Sequence, residues 1–168
     1  MPSGPRLFLE NGCYHIMIRG NNKKKIFHSN NDYKHYIFLI KKYKKRYKVK
    51  VFGYCLMPNH IHIIIQPEKN KRDVSGYMQS LSRAYTAYFN ESYKEVGHLW
   101  QGRYKSKVVL KDSYMLNLIS YLEQNPVRAR IVDAPHHYAW SSYRERNLLE
   151  CIDIIDELDI AGTLSCSV

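Results

Sequence analysis

The sequence lacks the usual features of secreted, membrane and zinc-ribbon proteins. Its cysteines, Cys13, Cys55, Cys151 and Cys166, are far apart and form no CxxC pair. Neither a zinc ribbon nor a disulfide framework is indicated, and we expect reduced thiols. The N-terminus has no charged start followed by a signal-like apolar run, and no stretch approaches the roughly 18 apolar residues of a membrane span. These absences predict a cytoplasmic protein.

Positive charge is missing from the end of the chain and concentrated in the rest. Residues 147–168 contain no Lys or Arg but five acids, whereas residues 1–146 hold all 26 Lys and Arg and have a net charge of +16. We therefore divide the chain into a basic domain, 1–146, and an acidic tail, 147–168, that could be helical. So basic a domain makes nucleic acid the first partner to consider. The tail is either a solvated appendage or a competitor of the polyanion.

The order of the predicted elements indicates an α+β fold. Period-two alternation predicts strands near 14–19, 49–56, 61–66 and 104–110. Apolar spacing of three and four predicts helices near 32–48 and 73–91, and a third that begins near 112 and ends at Pro126. The order is βαββαβ and then a helix. Among compact arrangements this is the ferredoxin-like one, a four-stranded antiparallel sheet with two helices on one face.

The most specific local pattern is a pair of histidines in the third predicted strand. Because strand side chains alternate, His60 and His62 share one face and Ile61 lies on the other. Two imidazoles on a rigid strand suit a divalent metal, although they are equally typical of the polar face of an amphipathic strand. Two ligands do not complete a site, so a third must come from elsewhere.

The last predicted helix contains a candidate for that third ligand. Tyr121 and Asn125 are one helical turn apart on a stripe that also holds Tyr114, Leu118 and Leu122. The amide oxygen of Asn125 can bind a hard cation, and a phenol beside it can act as a nucleophile. Such a stripe taken alone is more often packing than catalysis.

Three motifs together resemble a known family. They are LMPNHIHIII, HLWQGR and YLEQNPVRARIV, and they occur in that order within residues 10–145. The chain resembles the HUH single-tyrosine transposases, and in particular the REP-associated tyrosine transposases. Insertion-sequence relatives tend to have Asp before the histidine motif and Gln four residues after the tyrosine. Asn59 and Asn125 at those places favour the REP-associated branch, while Arg130 departs from its frequent NPVRAG pattern.

The resemblance assigns roles to individual residues. His60, His62 and Asn125 match the ligands of a divalent metal, Mg²⁺ or Mn²⁺, and Tyr121 matches the nucleophile. The expected activity is that of a metal-dependent transposase that cuts and joins single-stranded DNA at hairpin-associated sites through a 5′-phosphotyrosine intermediate. A phenol in general, with an unperturbed pKa near 10, needs help to ionise at neutral pH, and the cation is the obvious source of that help.

Basic and aromatic residues predict the DNA contacts. The candidates are Arg19, Asn21, Asn22, Lys23, Lys24, Trp100, Gln101 and Arg103. They offer phosphate contacts, base-edge hydrogen bonds and one stacking plane. The ordinary alternatives are a turn at Asn21-Asn22, a packed Trp100 and solvated lysines.

Two other functions stay open from the sequence. A βαββαβ sheet with aromatic residues is also the layout of RNA-recognition modules, although an RNP1-like stretch is absent. A metal-dependent hydrolase that uses water would not need Tyr121. We expect a monomer rather than a dimer.

Overall fold

The computed structural model describes residues 9, 12–70, 72–109, 112–147 and 151–158. The strands are β1 (Cys13–Arg19), β2 (Val49–Met57), β3 (His60–Pro67) and β4 (Lys105–Val109). The helices are α1 (Asn30–Tyr47), α2 (Arg72–Tyr93), α3 (Asp112–Glu123), α4 (Asn125–Arg128) and α5 (Tyr143–Asn147). None of the described helices is both long and apolar enough to cross a membrane.

The four strands form one antiparallel sheet in the order β2-β3-β1-β4. The main core lies between one face of this sheet and the helices α1 and α2. Ile16 of β1 and Ile63 of β3 meet Tyr36 of α1 and Leu81 of α2 there, all fully or nearly fully buried. This is the ferredoxin-like α+β fold that the sequence predicts, with a further helix after β4.

That further helix, α3, packs on the opposite face of the sheet. Its apolar residues at spacings of three and four, Met115, Leu118, Ile119 and Leu122, contact Phe52 and Ile64 of β2 and β3, and Cys13 and Val109 of β1 and β4. The buried Glu123 anchors the end of the helix, because its Oε1 accepts hydrogen bonds from Ser142 (2.6 Å) and Arg146 (3.3 Å). One face of α3 is therefore held against the sheet.

The helical path does not stop at Pro126, contrary to the sequence prediction. Gln124 caps a second short helix, α4, and Pro126 lies in its first turn. Proline is tolerated there because the missing N–H has no intrahelical partner at that position and the fixed φ already suits a helix. The chain thus continues in a helical direction and brings Arg128 back towards α3.

The described part of the acidic tail, residues 151–158, is not helical. Its backbone bonds to the body instead: the Asp156 N–H donates to Val51 O, and Asp156 Oδ2 accepts from Val51 N, both at 2.7 Å. Asp156 also pairs with Lys44 at 2.8 Å, and Ile154 is fully buried in the main core. Residues 148–150 and 159–168, which include Leu148 and Leu149, lie outside the described residues.

Candidate active site

The histidine pair lies on the sheet face away from α1 and α2. His60 and His62 have ring centroids 5.0 Å apart, while Ile61 between them points into the main core and is 1% exposed. The alternation predicted from the sequence is thus the observed one. His62 is buried, at 8% exposure.

A third histidine, which sequence reasoning missed, stands beside this pair. In the β1–β3 register Arg19 is opposite His60, Met17 opposite His62, and His15 opposite Ile64. The Nε2 of His15 lies 2.9 Å from the Nδ1 of His62, and the two rings are stacked. The available signal was the alternation of β1, which puts His15 on the face opposite Ile16 and Ile18.

All three histidines are neutral at pH 7. Burial lowers the pKa of His60 to about 4, with a further contribution from the Arg19 charge. Burial, followed by repulsion from the protonated forms of His15 and His60 and from Arg19, lowers the pKa of His62 to about 3. Burial, assisted by Lys107, lowers the pKa of His15 to about 4. Each ring therefore has one nitrogen lone pair available for a ligand or a hydrogen bond.

Tyr121 shares one cavity of about 600 Å³, between α3 and the sheet, with His15 and His62, whereas His60 is not among its lining residues. Tyr121 is 45% exposed, because it lies beside the buried apolar face of α3 and is not part of it. The cavity is lined by His15, Met17, His62, Lys105, Lys107, Tyr114, Asn117, Leu118 and Tyr121. Its volume lies in the range of ligand sites in proteins. The cavity thus combines two phenols, two imidazoles and two ammonium groups.

Two basic features of this site were not predicted from the sequence. Lys105 and Lys107 alternate along β4 and stand opposite Met17 and His15, so they project on the histidine face. The guanidinium of Arg128, in α4, lies 4.5 Å from the centroid of the Tyr121 ring. The spacing of seven between Tyr121 and Arg128 indicates this contact only if the helix continues past Pro126.

Asn125 lies at the start of α4, half-buried. Its Nδ2 is buried and has no hydrogen-bond partner among the described residues. Asn125 is not among the side chains that line the 600 Å³ cavity. Within the described parts of the chain, no three His, Cys, Asp or Glu side chains are grouped so that they could hold a metal ion.

Three of the predicted DNA contacts lie together beside this cavity. Arg19, Gln101 and Arg103 line a second cavity of about 300 Å³. Met17 and Lys105 line both cavities, so the two adjoin at the β1–β4 edge. The pairing of Gln101 N with Arg19 O at 2.9 Å holds the loop after α2 against the end of β1. The basic side chains that line the two adjoining cavities are Arg19, Arg103, Lys105 and Lys107, and we refer to them as the basic path.

A model of the family described as "Transposase IS200 like" matches residues 9–125. The chain belongs to this transposase family. A Haemophilus influenzae relative, named as a REP-associated tyrosine transposase, is 25% identical over an alignment of 109 positions; the alignment covers 59% of this chain and 61% of that protein. The chain thus matches less than two thirds of that relative's length. A solved structure of a REP-associated tyrosine transposase bound to a REP hairpin aligns with a TM-score of 0.74, 17% identity and 96% coverage of both chains. That likeness shows the fold.

The remaining predicted contacts of this IS200-like chain lie in loops near β1. Asn21–Lys23 form a 3-10 turn, in which Asn22 and Lys23 have left-handed backbone conformations and are exposed. Lys24 pairs with Glu95, so part of its charge is compensated. Trp100 is half-buried, and its indole N–H donates to Ser82 O at 3.2 Å. It therefore packs on α2 and offers only part of its ring.

Proposed function

We propose that this family member is a transposase that cuts and rejoins single-stranded DNA, with Tyr121 as its nucleophile. The observation that carries the proposal is that Tyr121 and His62 line the same cavity, beside Lys105 and Lys107. A phenol, neutral imidazoles and basic side chains are the groups that attack on a phosphodiester requires.

Two observations support the proposal of a divalent cation at these residues. The rings of His60 and His62 are adjacent and neutral, and the buried amide of Asn125 has an unsatisfied nitrogen. A half-turn of that amide would offer its oxygen to a hard cation instead. We propose that His60, His62 and Asn125 hold Mg²⁺ or Mn²⁺, the remaining ligands being water and phosphate oxygens. The bound ion would polarise the scissile phosphate and offset the charge on its non-bridging oxygens.

In the proposed reaction the Oη of Tyr121 attacks phosphorus in line. The Tyr121 Oη–P bond forms, the P–O3′ bond breaks, the phenol proton is released, and the departing 3′ oxygen takes up a proton. The products are a 5′-phosphotyrosine and a free 3′-hydroxyl. The bond energy is retained in the phosphotyrosine, so attack by another 3′-hydroxyl rejoins the strands without ATP.

The proposed substrate is single-stranded DNA that carries a hairpin. The basic path from Arg19 and Arg103 through Lys105 to Lys107 can follow a phosphate backbone. The relative of known structure is bound to a REP hairpin, which supports a hairpin partner here. Asn21, Asn22, Lys23 and Lys24 flank this path on the β1 side.

Covalent trapping tests the proposal. Labelled hairpin DNA and Mg²⁺ should yield a protein–DNA adduct that survives denaturing electrophoresis. Tyr121→Phe should abolish the adduct and leave DNA affinity nearly unchanged, because only one hydroxyl is lost. Tyr114→Phe is the matched control, since Tyr114 lines the same cavity from the same helix. An adduct with Tyr121→Phe but not with Tyr114→Phe would make Tyr114 the nucleophile instead.

The same experiment separates the alternatives. An RNA-recognition module would bind but form no adduct, and a water-using hydrolase would cleave with Tyr121→Phe. The sheet does not favour an RNA-recognition module. Such modules stack bases on aromatic side chains of the central strands, and here those strands present His15, Met17 and His62 on that face. We also propose a monomer, which light scattering of the purified protein would check.

A further inference from the structure

The hydrogen bond of His60 fixes which of its nitrogens carries the proton. His60 Nδ1 lies 2.6 Å from Asn59 Oδ1, and Asn59 Nδ2 donates to Lys23 O at 3.2 Å. The second bond determines the orientation of the amide, so the oxygen is the atom that faces His60. A carbonyl oxygen only accepts. His60 therefore carries its proton on Nδ1 and presents a lone pair on Nε2.

His62 has an equivalent partner from another strand. Its Nδ1 is 2.9 Å from His15 Nε2, with ring centroids 5.1 Å apart. A bond between two ring nitrogens needs one proton and one lone pair. If the His62 Nδ1–H donates, His62 Nε2 is left with a lone pair and His15 carries its own proton on Nδ1.

We propose that Asn59 and His15 are positioning residues that hold His60 and His62 in the Nδ1–H tautomer, so that both Nε2 lone pairs are available to one ligand. Ligating histidines commonly donate their other ring N–H to such a partner, which fixes ring orientation and raises basicity. His15 is thus a neighbour of the site and does not act as a third ligand, because its Nε2 is committed to His62. That the ligand is a divalent cation rests on the proposed function. The assignment of the tautomers rests only on the hydrogen bonds of His60 and His62.

Nitrogen NMR of the full, metal-free chain tests the tautomers directly. Long-range ¹H–¹⁵N correlation at neutral pH should show His15, His60 and His62 as Nδ1–H tautomers. The exposed His98 supplies an internal reference for an imidazole outside the site. Protonation of His60 or His62 on Nε2 would overturn the proposal.

Metal binding by variants tests the positioning. His15→Phe keeps a ring in place but removes the acceptor, and should weaken Mn²⁺ binding about 10- to 100-fold, the usual effect of losing such a partner. His15→Gln restores an acceptor oxygen and should recover most of the affinity. For His60 the corresponding variants are Asn59→Leu, which removes the acceptor oxygen and should weaken Mn²⁺ binding, and Asn59→Asp, which retains an acceptor oxygen and should keep most of the affinity. The control is His136→Phe, and circular dichroism checks that each variant folds.

The outcomes separate this inference from the proposed function. Nδ1–H tautomers in a protein that forms no Tyr121 adduct would sustain the positioning and refute the nuclease. Two outcomes would refute the positioning role while the proposed function stands. The first is adduct formation by a protein whose His60 or His62 is protonated on Nε2. The second is adduct formation together with equal Mn²⁺ affinity in His15→Phe and His15→Gln.

Discussion

The guanidinium of Arg128 lies over the ring of Tyr121, 4.5 Å from its centroid. Arg128 lies in α4, which continues past Pro126 and ends at Arg128. A cation over the face of a phenol restricts the ring and adds positive potential near its oxygen. The residue proposed as nucleophile is thus oriented by a side chain from the next helix.

Arg128→Ala should slow adduct formation by Tyr121 about fivefold, since a cation–π contact at an exposed site contributes about 1 kcal/mol. Arg128→Lys should retain part of the rate, because the charge remains. Single-turnover adduct formation on labelled hairpin DNA measures the effect. Arg130→Ala is the control, as Arg130 is an exposed arginine two residues away. Equal rates for Arg128→Ala and Arg130→Ala would show that the contact does not affect the chemistry.

Replacing Lys105 and Lys107 together by Ala should weaken DNA binding and make its salt dependence shallower. Two lost phosphate contacts reduce the slope of log K against log salt by about 1.4 for a single strand. Fluorescence anisotropy at several salt concentrations measures both quantities. The control replaces Lys34 and Lys45, which are exposed on α1 across the sheet. Equal effects of the two pairs would contradict a DNA path confined to the histidine face.

Asp32→Asn should destabilise the fold in a pH-dependent manner. The carboxylate accepts hydrogen bonds from Tyr88, Tyr93 and the backbone N–H groups of His28 and Ser29. Burial alone raises the pKa of Asp32, but these four bonds together lower it below its usual value. The stabilisation is therefore fully present above the unfolded pKa near 3.9 and is lost as pH falls through the lower folded pKa.

Urea unfolding at several pH values measures this effect. At pH 7 the loss in Asp32→Asn should be about 1–3 kcal/mol, and the difference from the unmodified protein should shrink below about pH 4. Asp133→Asn, at an exposed position, should show no such loss. A deficit that persists unchanged at pH 3 would mean that the charge of Asp32 contributes nothing.

Ile154→Ala should lower the free energy of unfolding by about 2–5 kcal/mol, the usual cost of truncating a buried isoleucine. Ile131→Ala is the control, because Ile131 is 44% exposed. Chemical denaturation measures both. If Ile154→Ala lowered the free energy of unfolding no more than Ile131→Ala does, the tail would not contribute to the core.

Deleting residues 147–168 should strengthen DNA binding and steepen its salt dependence if the acidic tail competes with DNA. That deletion also removes Ile154 from the core. Charge-neutralising changes such as Asp156→Asn therefore test the electrostatic competition more cleanly, with fluorescence anisotropy as the measurement. Unchanged affinity and salt slope in Asp156→Asn would argue against competition by this carboxylate.

The sequence by itself determined the four strands, the first three helices and the face of β3 on which its histidines lie. Helical spacing and strand alternation are local properties of the backbone, so the pattern alone places His60 and His62 opposite Ile61. The order of elements then limited the topology, and three motifs led to the family that the match over residues 9–125 confirms. The expectation that Tyr121 and Asn125 lie one turn apart on one helix rests on the same local geometry, and it stays a prediction, because the structure assigns them to α3 and α4 on either side of Gln124.

The tertiary structure decided which residues of different elements meet. His15 reaches His62 because of the register between β1 and β3, and Lys105 and Lys107 join the cavity because of the register between β1 and β4. Register depends on side-chain packing between segments that are far apart in the chain. The pattern within one segment carries no information about that packing. The same holds for residues 151–158, whose apolar spacing suggests a helix. There the bonds of Asp156 to Val51 and of Glu145 to the backbone of Ile154 replace helical hydrogen bonds.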